Sequence, residues 1–235
     1  MKITKFAQST FLLENKTGNS LLIDPGKYNF EGGWELPALP RLDAVVITHK
    51  HEDHFYKPEV ARLFETHNFQ ILTNPEIGRD LNATGIPAQI GGAGDVLQLA
   101  GFAIELIKTD HVVRDQPVLN FGLLIESDGH VVYHTSDTRF MEAEVLPAER
   151  LNRAEVICVP IGNRGVVMGI DDALYFCNQF RPNVVIPMHY DSPKDKERVK
   201  PEHFVDRFRV LAPVLKKIAE AEIRVLHFSE SYELK

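Results

Sequence analysis

The segment THKHEDH, residues 48–54, gathers three histidines and an aspartate, in a chain that holds ten histidines among 235 residues. Composition alone makes such clustering improbable, and imidazoles beside carboxylates are the side chains that bind zinc, iron or manganese. In an extended segment His49, His51 and Asp53 would point to one side and His54 to the other. One ion poorly accommodates all four, because the adjacent Asp53 and His54 would have to form a cramped chelate. A loop curling between two metals can instead give two histidines to one ion and the Asp-His pair to the other. The spacing therefore points to a two-metal site, whose ions, about 3.5–4 Å apart, share a water.

The elements that must position these residues follow from the apolar patterning. ITKF, TFLLE and SLLID read as short strands, with Lys16-Thr17-Gly18-Asn19 as a hairpin turn, and AVVIT at 44–48 reads as a buried strand. THKHEDH begins where that strand ends, at a sheet's carboxyl edge, where α/β folds build their sites. Helices are expected at 58–67 and 75–83, where Pro58 suits a first turn and Asn74-Pro75-Glu76 reads as a helix start. Strands follow at 88–90, 95–99, 102–108, 119–126 and 130–135, the last two joined by a turn at Ser127-Asp128-Gly129. The last third alternates an EVICVP strand, a helix at 171–180, an NVVIPM strand, a helix at 201–221 and an IRVLHF strand. Two β-rich blocks, each closed by strand and helix units, predict an α/β sandwich in one domain spanning 1–235.

Three further candidates occupy equivalent places after apparent strands: His111 after AIELIKTD, Asp137 after VVYHTS and His189 after VVIPM. Taken singly, each also reads as a strand-end residue bonded to backbone or as the start of a turn.

Charge and composition narrow the class. With 26 basic and 33 acidic residues the net charge is −7, which argues against a phosphate-backbone footprint and so against nucleic acid. No apolar run approaches the roughly 20 residues of a membrane span, and MKITKFAQST lacks the apolar core of a signal peptide. The expectation is a soluble cytoplasmic protein. Cys158 and Cys177 sit in apolar stretches without metal or redox spacing and read as buried free thiols.

Together these motifs resemble a known family. THKHEDH matches the T-H-x-H-x-D-H signature of the metallo-β-lactamase superfamily, and His111, Ser-Asp-Thr at 136–138 and Pro-Met-His-Tyr at 187–190 follow in that family's order. ITKFAQSTFLLE, SLLIDPG, NFGLLIESDGHVVYHTSDT and VPIGNRGVVMGIDDA are similar to its small single-domain branch of metal-dependent hydrolases related to ascorbate-6-phosphate lactonase. The resemblance implies an αββα sandwich of two mixed β-sheets with helices on the outer faces and a dinuclear site along one edge. It places His49, His51 and His111 on a first metal, Asp53, His54 and His189 on a second, and Asp137 between both. Two divalent ions per chain are implied, zinc by default, with manganese or iron also fitting the mixed shell. A hydroxide held between them would cleave a small-molecule ester, lactone or phosphodiester, with Asp53 as the catalytic residue that orients it.

Other classes are weighed against this reading. A di-iron redox enzyme shares the fold, but such relatives usually show a glutamate where His51 stands and carry a flavin domain. A non-catalytic metal-dependent binding protein would be expected to have lost ligands. An RNA-processing nuclease is disfavoured by the acidic charge and by the lack of an inserted substrate-binding domain. Self-association is compatible with every reading.

The chain also departs from the family's pattern. Ala7-Gln8-Ser9 stands where relatives often show Gly-His-Ser or Gly-His-Ala, and Asn163-Arg164-Gly165 replaces a glycine-rich turn. Arg164 and Arg114 are candidate substrate-binding residues for an anionic group, each equally readable as an exposed loop arginine. His134 is a candidate support for the site, and Trp34 reads as packing or as a pocket wall. His67, His130, His203 and His227 read as surface or strand residues. Loops 25–41, 112–118 and 162–170 are expected to shape the pocket.

Overall fold

The computed structural model describes residues 1–31, 36–162, 165–192 and 199–235. Its first half comprises β1 (Lys2–Lys5), β2 (Phe11–Glu14), β3 (Ser20–Ile23), β4 (Ala44–Ile47), α1 (Lys57–His67), β5 (Gln70–Thr73), α2 (Pro75–Asn82) and β6 (Gln89–Ile90). The second half begins with β7 (Val96–Leu99), β8 (Phe102–Lys108), the small strands β9 (Val112–Val113) and β10 (Gln116–Pro117), β11 (Phe121–Ser127) and β12 (His130–His134). It continues with α3 (Ala148–Leu151), β13 (Val156–Pro160), α4 (Ile170–Cys177), β14 (Val184–Met188), α5 (Pro201–Leu211), β15 (Glu222–Ile223) and β16 (Ser231–Glu233).

Two seven-stranded sheets result, in the orders β16-β1-β2-β3-β4-β5-β6 and β15-β14-β13-β12-β11-β8-β7. Both are mixed: antiparallel hairpins give way to parallel pairing at β3–β4 in one and at β12–β13 in the other. Period-two alternation explains the layering. In β4, Ala44 and Val46 face the core between the sheets, while Val45 and Ile47 join the cluster with Val60 and Leu63 of α1 and Ile77 and Leu81 of α2. In β13, Val156 and Cys158 face inward, while Ile157 and Val159 pack against α4 residues such as Leu174 and Cys177. Strands buried on both faces read as continuous apolar runs, and the outcome is helix, sheet, sheet, helix. Cys158 and Cys177 are both buried and free.

Local chemistry sets the boundaries. Asn74 accepts hydrogen bonds from the backbone N–H groups of Glu76 (2.9 Å) and Ile77 (3.1 Å), capping α2 ahead of Pro75. Asp128 and Gly129 both have positive φ (56° and 81°), as the two-residue turn joining β11 to β12 requires.

Several expectations need correction at this level. The helix expected to run to residue 221 stops at Leu211, because Pro213 has no N–H to donate to the Arg209 carbonyl. The expected IRVLHF strand shrinks to Glu222–Ile223, after which the chain buries Leu226 between the sheets and crosses over, so that β16 pairs antiparallel with β1. β5, β9, β10 and α3 are additional elements. No helix among the described residues is long and apolar enough to cross a membrane.

Candidate metal centre

The carboxyl ends of β4, β8, β12 and β14 deliver the chemistry-bearing side chains to one edge of the two sheets. The segment after β4 is a turn and not extended: the N–H groups of His54 and Phe55 both donate to the His51 carbonyl (2.9 and 2.8 Å). This curl sends His49 and His51 one way and Asp53 and His54 another. Gly26 makes it possible, since a Cβ there would lie 1.8 Å from the Asp53 carbonyl oxygen. Lys27 N–H donates to the Glu52 carbonyl (2.6 Å) and Tyr56 N–H to that of Pro25 (3.3 Å), so residues 25–27 brace the turn.

The seven side chains singled out in the sequence converge. His49, His51, His111 and Asp137 form one group and Asp53, His54 and His189 a second, with donor atoms inside each group within 4.8 Å of one another. In the first, His51 Nδ1 lies 3.0 Å from His49 Nε2 and 3.2 Å from His111 Nε2. In the second, His189 Nε2 is 3.2 Å and His54 Nε2 3.8 Å from Asp53 Oδ2. Asp137 faces both: its oxygens are 3.9 Å from His49 and His111 and 3.2 Å from His54 and His189.

Two of the imidazoles are oriented from behind, and neighbouring groups brace the site around them. His54 Nδ1 meets Asp24 Oδ2 at 2.7 Å, and the same carboxylate accepts Thr48 N–H and Thr48 Oγ1–H, both at 2.7 Å. His111 Nδ1 donates to the Val166 carbonyl (3.1 Å). Asn120 Nδ2 donates to the Asp137 carbonyl (2.6 Å). His134 supports the site indirectly: Nε2 donates to the Ser9 carbonyl (2.9 Å) while Nδ1 accepts Ser136 N–H (3.2 Å). Gln8, Asp24, Ser136 and His189 all have left-handed backbones, φ between 48° and 63°. Such residues cost on the order of 1 kcal/mol or more each and persist where the surroundings hold them, as these hydrogen bonds do.

Charge divides the two groups. Burial pushes His49, His51 and His111 below the ordinary imidazole range. Burial acts the same way on His54 and His189, but carboxylates outweigh it. Asp137, Asp24 and Asp53 hold His54 well above that range, and Asp137 and Asp53 carry His189 up to about 10. Reciprocally, burial would raise Asp53 and Asp137, yet the two imidazoliums hold both below the usual carboxylate range.

The donor set fits a metal on its own evidence. His54 Nε2 and Asp137 Oδ1 are buried, 3.2 Å apart, and beyond this contact with each other neither has a hydrogen-bond partner among the described residues. Buried polar atoms held only by each other are few in folded proteins, and an ion ligated by both would account for the pair.

A cleft of about 600 Å³ opens beside His51, with Lys50, Glu76 and Arg79 on one side and Pro117, Val118 and Leu119 on the other. Of the loops expected to shape the pocket, 112–118 contributes to it. Arg114 sits at the exposed tip of the β9–β10 hairpin, where it and Asp115 have positive φ (51° and 59°), and it makes no ion pair among the described residues. Arg164 and Trp34 lie outside the described residues. Asp24 escaped the sequence reading, although the rule that found His111 and Asp137 applies to it: it is an acid at the end of the buried strand SLLI.

Comparison with known proteins shows the family. A family profile described as a beta-lactamase superfamily domain matches residues 2–189. A protein of Methanosarcina barkeri named as a UPF0173 metal-dependent hydrolase is 31% identical, over 87% of this chain and 89% of its own. A Staphylococcus saprophyticus protein of the same description is 29% identical, over 91% and 97%. Among solved structures, Igni18, described as a novel metallo hydrolase from the hyperthermophilic archaeon Ignicoccus hospitalis, superposes with a TM-score of 0.75 at 26% identity, covering 100% of this chain and 99% of that one.

Proposed function

Because the chain belongs to the beta-lactamase superfamily and has the metallo-β-lactamase fold, we propose that it is a binuclear metal-dependent hydrolase of small-molecule esters, lactones or phosphodiesters. His49, His51 and His111 would hold one ion, Asp53, His54 and His189 the other, and Asp137 would face both. When bound, two such cations lower the pKa of a shared water towards neutrality and polarise the scissile oxygen; zinc is the first choice for this shell.

The chain's own residues do the rest. Asp24 holds a proton of His54 on Nδ1, so that the neutral ring, once its Nε2 proton is released, would present the Nε2 lone pair to the site. The Val166 carbonyl does the same for His111 through Nδ1. Asp53, partly open to solvent, can accept a hydrogen bond from the attacking nucleophile and aim it. Substrate would approach through the cleft beside His51, where Lys50 and Arg79 can receive an anionic group and Val118 and Leu119 an apolar one. Arg114 and Arg164 remain candidates for the same task.

The observation that carries this reading is the convergence of two donor groups around the buried His54 Nε2 and Asp137 Oδ1, which have no partner but each other among the described residues. Its test is metal analysis together with turnover. Protein purified with excess zinc or manganese should hold two ions per chain and hydrolyse a member of a phosphodiester and lactone panel. The rate should rise with pH through about 7 and then level off. Saturation at one ion, or a rate that falls across that range, would sink it.

A further inference from the structure

Lys5 is a lysine with no accessible side-chain surface. Its Nζ lies 2.7 Å from Asp191 Oδ2, donates to the Phe6 carbonyl at 2.8 Å, and stands 4.7 Å from the centre of the Tyr190 ring. A methionine of similar length would fill the space without the cost of dehydrating an ion, so packing does not account for the charge. What the charge holds is Asp191. The other oxygen of that carboxylate accepts Gln8 N–H at 2.6 Å, and Asp191 N–H returns a bond to Gln8 Oε1 at 3.1 Å.

Gln8 is the hub of this arrangement. Its carbonyl accepts His189 N–H at 3.2 Å, and its Nε2 reaches Asp53 Oδ2 at 3.5 Å. Each of these four contacts therefore goes to residue 53, 189 or 191. Gln8 and His189 both sit at positive φ (57° and 63°), a conformation uncommon outside glycine, and they hold one another across the seam. Lys5 and Gln8 belong to the β1–β2 hairpin of one sheet, whereas residues 189–191 follow β14 of the other. None of the described hydrogen bonds of Lys5, Gln8 or Asp191 reaches His49, His51 or His111.

We infer that Lys5, Gln8 and Asp191 form a clamp across the two sheets that positions Asp53 and His189, and so sets the metal affinity of the second ligand group independently of the first. The inference rests on the two-ion reading proposed above. All three act as positioning residues. The ion pair fixes Asp191, Asp191 fixes the Gln8 backbone and amide, and Gln8 fixes one ligand by its carboxylate and the other by its backbone.

The test isolates each group. A His51→Ala/His111→Ala background leaves the second group, and a His189→Ala background leaves the first. Gln8→Leu, which removes both side-chain bonds without removing a charge, is placed in each. Zinc affinity of the stripped proteins is measured by competition with a chromophoric chelator, alongside thermal unfolding. Affinity should fall about 10- to 100-fold where only the second group remains, the usual effect of losing a ligand's supporting partner. It should stay within about twofold of its background where only the first remains. Lys5→Met/Asp191→Asn should repeat this selectivity; if that pair fails to fold, Gln8→Leu decides alone.

Equal losses in both backgrounds, or none in either, would overturn the clamp. The otherwise unchanged chain, titrated in parallel, separates the two layers. If it binds two ions and the variants show no selectivity, only the clamp falls; if it binds one, the two-ion reading falls and the clamp with it.

Discussion

Replacing Asp24 with asparagine tests the orientation of His54 with little disturbance of the fold. Asparagine tolerates the left-handed backbone that Asp24 adopts (φ 48°), and its carbonyl oxygen can keep the 2.7 Å bond from Thr48 N–H. Its NH₂ group then replaces the oxygen that receives both His54 Nδ1 and Thr48 Oγ1, each at 2.7 Å. The threonine hydroxyl can rotate and become an acceptor. The imidazole can adapt only by moving its proton to Nε2, the atom that faces Asp137 at 3.2 Å and would ligate metal. Losing a hydrogen bond to a charged group costs roughly 1.5–3 kcal/mol. At about 1.4 kcal/mol per factor of ten, metal affinity at the second group should weaken roughly 10- to 140-fold. Chelator competition on the metal-stripped variant reads this directly, with far-ultraviolet circular dichroism as a check on folding. An Asp24→Asn protein that binds both ions as tightly as its parent would refute the tautomer argument.

Asp53→Asn should lower turnover by orders of magnitude while shifting the unfolding temperature little, because it removes an aimed carboxylate at a partly exposed turn and almost no apolar burial; equal activity would make Asp53 dispensable. Gly26→Ala forces a methyl onto the Asp53 carbonyl and should destabilise the chain by roughly 1–3 kcal/mol in urea unfolding, with loss of metal binding. The pH dependence follows from His189, whose folded pKa of about 10 lies above the unfolded value near 6.5. Its stabilising contribution to metal-stripped protein is fully present below about pH 6.5 and is lost as pH rises through about 10. Alkaline melts of stripped protein should show this decline. Because ligation requires neutral imidazole, zinc uptake near pH 7.5 should release protons from His54 and His189, measurable by calorimetry in buffers of different ionisation enthalpy. Uptake with no proton release would contradict the charge assignment.

The side chains that converge on the candidate site were legible in the sequence because the information is local: THKHEDH packs four of them into six positions, and the others follow apolar runs whose ends mark a sheet edge. The β11–β12 hairpin was equally legible, since Asp128-Gly129 supplies the positive φ its turn demands. Even the end of α5 stands in the sequence at Pro213, a residue without an N–H, although helical periodicity continues past it. Tertiary structure alone decided the rest. Nothing in IRVLHFSESYELK tells that the chain leaves one sheet and completes the other beside β1, because that pairing joins residues more than two hundred positions apart. Lys5, at the end of a short strand, carries the mark of a solvent-facing residue; only the arrival of Asp191 from the opposite sheet makes its burial tolerable. Gln8 read as a missing histidine until the fold set its amide against Asp53 and its carbonyl against His189. Side-chain type and local spacing determine what can bind a metal, whereas the supports that fix its geometry are contacts between distant segments, and those exist only once the two sheets have closed on each other.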